Sequence, residues 1–404
     1  MVVLIGALSA LSWGCGSQTE CGEFPLDQET RRCVVETVDQ MVQETFPFEE
    51  YKEVDLQVFS KELHGLLELE SEDEVFLTEV ARTVAMLRDG HTRVEFRSLE
   101  VPAVAPLEIE RIEGEFVVVA VDKGVSPELV GRRVRSVDGV EMGELFEAVK
   151  GKTFAGIGGE VSLSGSEAAL AGEVDTAVRL RFEDGREVEL RRRAIHSQPR
   201  GERIGDFGYI KIDTFGFIDD LEVLDGLIND MIDAEGLIID LRGNGGGYPS
   251  VTDGLFGRLI PREVDPFKLV GQDGVLHREL RARPRGEIYE GPVVVLVDGR
   301  TYSASNYLAH RMIHHERGVL LGARTGGGAA SPHRGKLLLP GIWFQVSTHV
   351  LYPPSGTHSE SGLEPMIVYN PEEQSEGESS VLSTLTSQPD AVIQRAIRYL
   401  EEGQ

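Results

Sequence analysis

Two runs of aliphatic, largely β-branched residues, Gly236-Leu237-Ile238-Ile239-Asp240 and Val293-Val294-Val295-Leu296-Val297, carry no polar alternation. A strand with one face in water alternates, so these two call for cover on both faces, as in a parallel sheet flanked by helices. The surrounding pattern agrees: a strand at Tyr209 to Ile212, a helix through Leu221 to Ile232, then the first run. Such a βαβ rhythm implies an α/β layer with parallel strands. Each run then ends in a turn. The first leads into Leu241-Arg242-Gly243-Asn244-Gly245-Gly246-Gly247, and the second into Asp298-Gly299-Arg300-Thr301 and a helix over Ser303 to His315.

Those turns are where chemistry can sit. A serine at a strand-to-helix turn lies at the positive end of the helix dipole, where free N–H groups can stabilise a developing oxyanion. The plainer role for Ser303 or Ser305 is to cap the helix. A glycine cluster after a buried strand lets backbone N–H groups approach a ligand closely. It fits neither the dinucleotide nor the lysine-terminated phosphate-loop pattern, which argues against a nucleotide.

At 404 residues the chain is long enough for two or three domains. Its net charge of −28 argues against nucleic acid and anionic membrane surfaces as partners. The apolar segment Met1 to Gly14 followed by Cys15 resembles a bacterial lipoprotein signal, in which that cysteine is lipidated; the alternative is an ordinary cleaved secretory signal. The run is too short to span a bilayer. In an exported chain Cys21 and Cys33 could close a small disulfide loop.

Residues 34 to 88 read as helical, with Val35, Val38, Met41 and Val42 on one stripe. A further helix is expected from Ser71 to Leu87, opened by a capping box at Ser71-Glu72-Asp73-Glu74. Arg88-Asp89-Gly90-His91-Thr92 then places a histidine at a helix-to-strand turn. From 100 to 195 short strands and turns follow, with a hairpin about Asp184-Gly185. Gly131 to Val140 resembles the core of a PDZ domain; a structural insert without a ligand is the alternative. Gly151 to Gly172, rich in Gly and Ser, reads as a flexible loop or lid. Arg191-Arg192-Arg193 reads as the end of an exposed strand. Glu372 to Ser380 reads as a loop, and Asp390 to Leu400 as an amphipathic closing helix.

Taken together, Asp240-Leu241-Arg242-Gly243-Asn244-Gly245-Gly246-Gly247 and Val295-Leu296-Val297-Asp298…Ser303-Ala304-Ser305-Asn306 resemble the tail-specific (C-terminal-processing) serine peptidase family, which includes the tricorn core protease. Gly341 to Ser347 with Tyr352-Pro353-Pro354-Ser355-Gly356 resembles that family's strand pair. Gly362-Leu363-Glu364-Pro365 resembles its Gly-Val-x-Pro-Asp turn, with Met366 where Asp is usual. The resemblance implies a nucleophile at Ser303, with Ser305 its near neighbour, and an oxyanion hole from Ala304 with Gly246 or Gly245.

Processing peptidases carry lysine in Thr-Phe-Gly-Lys; here the stretch reads Thr325-Gly326-Gly327-Gly328, and Lys336 is out of place. The tricorn-like branch instead uses histidine and glutamate, which Asp89-Gly90-His91-Thr92 and Glu360 resemble, with Glu364 as a rival. Histidine near neutral pH takes the serine proton, and the carboxylate fixes its tautomer. No metal or organic cofactor is implied. His310 and His314, four apart, read as a solvated helix face rather than a metal site.

The expectation is therefore an exported serine endopeptidase acting on peptide or protein substrates, in the periplasm or cell envelope, the outer membrane included, and touching the membrane only through its N-terminal lipid. Its fold would be an α/β core of ClpP/crotonase-like layers. Segment 1–20 would be signal and tether, 21–98 a helical region carrying His91, 99–196 PDZ-like, and 197–404 the peptidase core. The rival is a catalytically inactive peptide- or lipid-binding protein on the same scaffold.

Overall fold

The computed structural model describes residues 20–97, 103–112, 114–121, 125–149, 153–155, 162–163, 165–194, 198–332, 335–369 and 391–402. Cys15 and the acidic stretch at 372–380 lie outside them. Two compact units organise these residues, one drawn from 1–195 with 332–348, the other from 196–331 with 349–404.

The second unit is built on the two apolar runs. Its six-stranded sheet has the order Arg200–Ile204, Phe207–Lys211, Gly236–Asp240, Val293–Val297, Val319–Gly322, Ile367–Val368. All neighbours after the first pair are parallel. Leu237, Ile239, Val293, Val295 and Val297 point into a core shared with helices Asp220–Asp230, Pro249–Gly257 and Ala304–His314. Ile238, Val294 and Leu296 point the other way, onto Ala396 and Leu400 of the closing helix Ala391–Glu401. Both faces are covered, which is why neither run alternates; each such side chain contributes about 1.5–3 kcal/mol by leaving water. The functional turns leave the sheet at the C-terminal ends of its parallel strands, the usual place for a site in such sheets.

In the first unit, helices Gln28–Thr45, Leu56–Gly65 and Asp73–Ala85 bury Val34, Val38, Phe59, Leu63, Phe76 and Val80. The capping box expected at Ser71 does not form. Glu72 stands at the N-cap without a side-chain bond, and the buried Arg31 ties down the entry to the helix through the Ser71 carbonyl (2.7 Å) and the Asp73 carboxylate (2.9 Å). Cys21 and Cys33 are disulfide-bonded, with Cα atoms 5.4 Å apart.

A five-stranded sheet runs in the order Lys336–Leu339, Ile342–Gln345, Arg93–Arg97, Thr153–Ala155, Ser162–Leu163. A second, four-stranded sheet (Glu187–Arg191, Ala177–Phe182, Val134–Val137, Val140–Glu141) and the hairpin Leu107–Ile112/Glu115–Val121 enclose their own core around Val118, Val178 and Leu180. Two expectations change here. The stretch read as a loop contributes the strand Thr153–Ala155 and a helix Gly165–Leu170. Arg192 is buried between two exposed arginines, donating to the carbonyls of Leu170 (3.0 Å) and Ala177 (2.9 Å) and pairing with Asp138 (3.0 Å). A guanidinium with five donors can be buried when carbonyls meet it.

Candidate active site

Backbone constraints fix the serine turn. Ser303 has φ 56° and ψ −120°, between the turn that ends the Val293–Val297 strand and the first residue of helix Ala304–His314. A non-glycine residue there is strained, and strain of this kind persists only where its surroundings over-determine it. They do. Ser303 N–H donates to Gly327 O (2.9 Å) and Tyr302 N–H to Asn244 O (3.0 Å). Asp298 accepts the N–H groups of Gly243, Arg300 and Thr301 at 3.0–3.1 Å, lacing the glycine loop to the serine turn.

The glycine loop has one side chain at its centre. Asn244, fully buried, donates to Ile212 O (3.0 Å) and accepts Gly246 N–H (2.9 Å). Gly246 is therefore placed beside Ser303 with its own N–H already committed. A Cβ on Gly246 would stand 2.7 Å from Ser303 Cβ and 2.9 Å from Ala304 N, so only glycine leaves the serine uncovered. Gly245 is exposed and opens on free space. Ala304 N–H, in the first helical turn, has no acceptor within its helix. Of the two glycines named as oxyanion donors, Gly246 has its N–H bonded to Asn244, while Gly245 stands exposed.

Ser303 is part-exposed, whereas Ser305 is wholly buried, its hydroxyl sealed from solvent without a hydrogen-bond partner. A nucleophile must be reachable, and that separates the two.

Glu360 is buried (6% exposed) and its Oε2 accepts Ala329 N–H at 2.7 Å. Its carbonyl takes Gly328 N–H (3.2 Å), while Gly327 O takes Ser303 N–H. One segment, Gly327 to Ala329, therefore holds both the serine and the glutamate. The loop carrying Glu360 is tied to the serine's helix as well. Asn306 Nδ2 donates to Ser359 Oγ (2.8 Å), Thr325 Oγ1 donates to Asn306 Oδ1 (2.7 Å), and His310 Nδ1 meets Ser359 Oγ (3.1 Å). Glu364, by contrast, has a side chain 68% exposed and pairs with Arg324 (2.9 Å). Burial distinguishes the two carboxylates: Glu360 is enclosed and Glu364 lies in water.

In the first unit, His91 is 5% exposed in the turn entering the Arg93–Arg97 strand. Burial pushes its pKa down to about 4; Asp89 opposes this, while Arg93 and Lys52 add to it. The ring is thus neutral, and able to take a proton, at pH 7. Burial by itself would raise the Asp89 pKa, but His91, Lys52 and the hydroxyls of Ser347 and Thr92 outweigh it and hold the carboxylate ionised.

Residues 206–369 match the model of peptidase family S41. That segment, less than half of the chain, is an S41 peptidase segment. The chain is 27% identical over 252 residues to the tricorn protease of Thermoplasma volcanium, covering 60% of this chain and 23% of that protein. It is 25% identical over 230 residues to the carboxy-terminal processing protease CtpA of Bacillus subtilis, covering 54% and 46%. The aligned region thus spans less than half the length of either curated relative. Among solved structures, mature CPAF complexed with lactacystin superposes with a TM-score of 0.63 at 15% identity, covering 93% of this chain and 99% of that one. The photosystem II D1 C-terminal processing protease does so at 0.57 and 20% identity, covering 90% and 98%.

Within the S41 frame, the missing lysine has a structural counterpart. Gly328, where the processing peptidases carry it, has φ +79°, and a Cβ there would run into the Tyr302 ring. Lys336 is an exposed partner of Glu20 (3.1 Å), remote from such a role. His310 does not lie on a solvated face as the spacing suggested: it is 9% exposed, edge-on to Phe267 (5.3 Å). Among the described residues no group of three or more His, Cys, Asp or Glu could hold a metal. The signal that sequence reasoning passed over is Asn244, whose type and place between glycines mark an amide locking a tight loop.

Proposed function

We propose that this chain is an exported serine endopeptidase that cleaves peptide bonds through an acyl-enzyme on Ser303. His91 acts as general base and then acid, Glu360 orients it, and the N–H groups of Ala304 and Gly245 bind the oxyanion. The observation that carries the reading is the strained, part-exposed Ser303 at the head of a helix, beside a position where only glycine leaves it uncovered. In sequence of events, the Ser303 hydroxyl adds to the carbonyl carbon as its proton passes to His91. The imidazolium then returns the proton to the leaving amine, and water repeats the cycle on the ester. The match of residues 206–369 to S41 and the names of the relatives support peptide or protein substrates.

Export is supported by the Cys21–Cys33 disulfide, since such bonds persist in oxidising compartments. It is also supported by likeness of fold to a lipoprotein of Streptococcus agalactiae, at a TM-score of 0.50 and 11% identity. Lipid attachment at Cys15 and peptide binding by the PDZ-like stretch belong to the same proposal.

The test is labelling by a fluorophosphonate probe. Label should appear on the wild type and on Ser305→Ala, and vanish in Ser303→Ala and His91→Ala. A folded wild type that takes no label overturns the enzyme reading in favour of a peptide- or lipid-binding scaffold.

A further inference from the structure

The buried histidine stands among charges that the catalytic assignment leaves unused. Asp89 begins the turn that carries His91, with Thr92 N–H closing it on Asp89 O (3.1 Å). Its side chain is wholly buried. Oδ2 accepts the hydroxyls of Thr92 (2.5 Å) and Ser347 (2.6 Å), and Oδ1 accepts Lys52 Nζ (3.4 Å). Lys52 is itself held: its ammonium donates to Arg88 O (2.9 Å) and lies 4.9 Å from the Phe48 ring centre. The strand end at Gln345 to Ser347 completes the arrangement. Gln345 Nε2 donates to His91 O (2.9 Å) and Ser347 N–H to Thr92 Oγ1 (3.0 Å). A buried carboxylate with a cation on one oxygen and two hydroxyls on the other cannot turn or leave.

We propose that Asp89, clamped by Lys52, Ser347 and Thr92, is a positioning residue for His91, supplying a second carboxylate besides Glu360 that steadies the imidazolium during proton transfer. The inference rests on the reading of His91 as the general base. Among the described residues Asp89, Arg93 and Lys52 act on the ring in opposite senses: the carboxylate favours the protonated ring, whereas the two cations oppose it. Lys52 therefore has two effects. It holds Asp89 in place, and it adds, after burial and Arg93, to what disfavours the protonated ring.

The test follows the His91 ring by NMR in isotopically labelled protein on a Ser303→Ala background, the signal assigned by its absence in His91→Gln. Lys52→Met keeps the stem over Phe48 and removes the charge; its titration midpoint should rise by about one pH unit. Lys52→Arg should restore the wild-type midpoint. Asp89→Asn should move it down by a similar amount, and if that variant does not fold, Lys52→Met decides alone. In the active background the acid limb of kcat/KM should move the same way as the midpoint. A midpoint and acid limb unmoved by Lys52→Met overturn the proposal while leaving the labelling result intact. A folded wild type without fluorophosphonate label overturns the underlying assignment of His91 instead.

Discussion

In the serine-bearing unit Ser303 is set by main chain: a strained φ, close glycines, and amide N–H groups donated to Gly327 O, Asn244 O and the Asp298 carboxylate. In the histidine-bearing unit the turn is set by side chains drawn from distant sequence, with Lys52, Asp89, Gln345 and Ser347 converging on it. The first kind of site is unforgiving in shape, because a single added carbon collides. The second is unforgiving in charge, because one altered group leaves another buried without its partner.

The sharpest way to break that contrast is Gly246→Ala. The added methyl meets Ser303 and covers Ala304 N, so kcat/KM should fall by at least about a hundredfold. Far-UV circular dichroism would check that the fold survives. An active Gly246→Ala enzyme would mean that the loop yields and that shape is not the constraint. Next comes the pair Glu360→Gln and Glu364→Gln. On the proposed mechanism the first should lower kcat by about ten- to a hundredfold, since the substitution removes the carboxylate charge that the proposal assigns to steadying the imidazolium. The second, exposed and paired only with Arg324, should leave kinetics unchanged. Equal losses in both would undo the assignment made from burial.

A smaller effect is expected from pH. Burial first, and neighbouring cationic groups after it, hold His91, His310 and His315 at about 4. The native state then binds fewer protons than the unfolded chain between the ordinary histidine value and 4. Stability is therefore full above about pH 6.5 and falls as pH drops toward 4. Thermal melting across that window should show the decline, and His310→Gln should flatten part of it; a flat wild-type profile would contradict the burial of these rings. The mildest change is Asn306→Ala, which cuts the link from Thr325 to Ser359. It should cost about 1–3 kcal/mol in a denaturant titration, with a modest loss of kcat.

The same contrast explains what was legible beforehand. Ser303 and the glycine loop were readable because strand, turn and helix are consecutive, and the chemistry of each turn is local. The two unalternating runs announced a sheet covered on both faces, and the structure covers them on both. The capping box expected at Ser71 does not form: the helix starts one residue later, with Glu72 as N-cap, where Arg31, some forty residues earlier, holds the Ser71 carbonyl and the Asp73 carboxylate. Arg192 looked like one of three exposed arginines because the carbonyls that bury it come from Leu170 and Ala177. His310 was misplaced because its neighbour Phe267 sits on another element. Position 246 needed glycine for a reason no spacing reveals: the residue it approaches lies 57 positions on, at Ser303.

The packing of Gly328 against Tyr302 bears on how one catalytic base could be exchanged for another over evolutionary time. A lysine entering at 328 in this backbone meets the aromatic ring and a left-handed φ, so that substitution alone yields a damaged protein rather than a Ser–Lys enzyme. Shrinking Tyr302 first would open a hole under the serine turn. On this backbone a side chain at 328 and a smaller residue at 302 would have to come together.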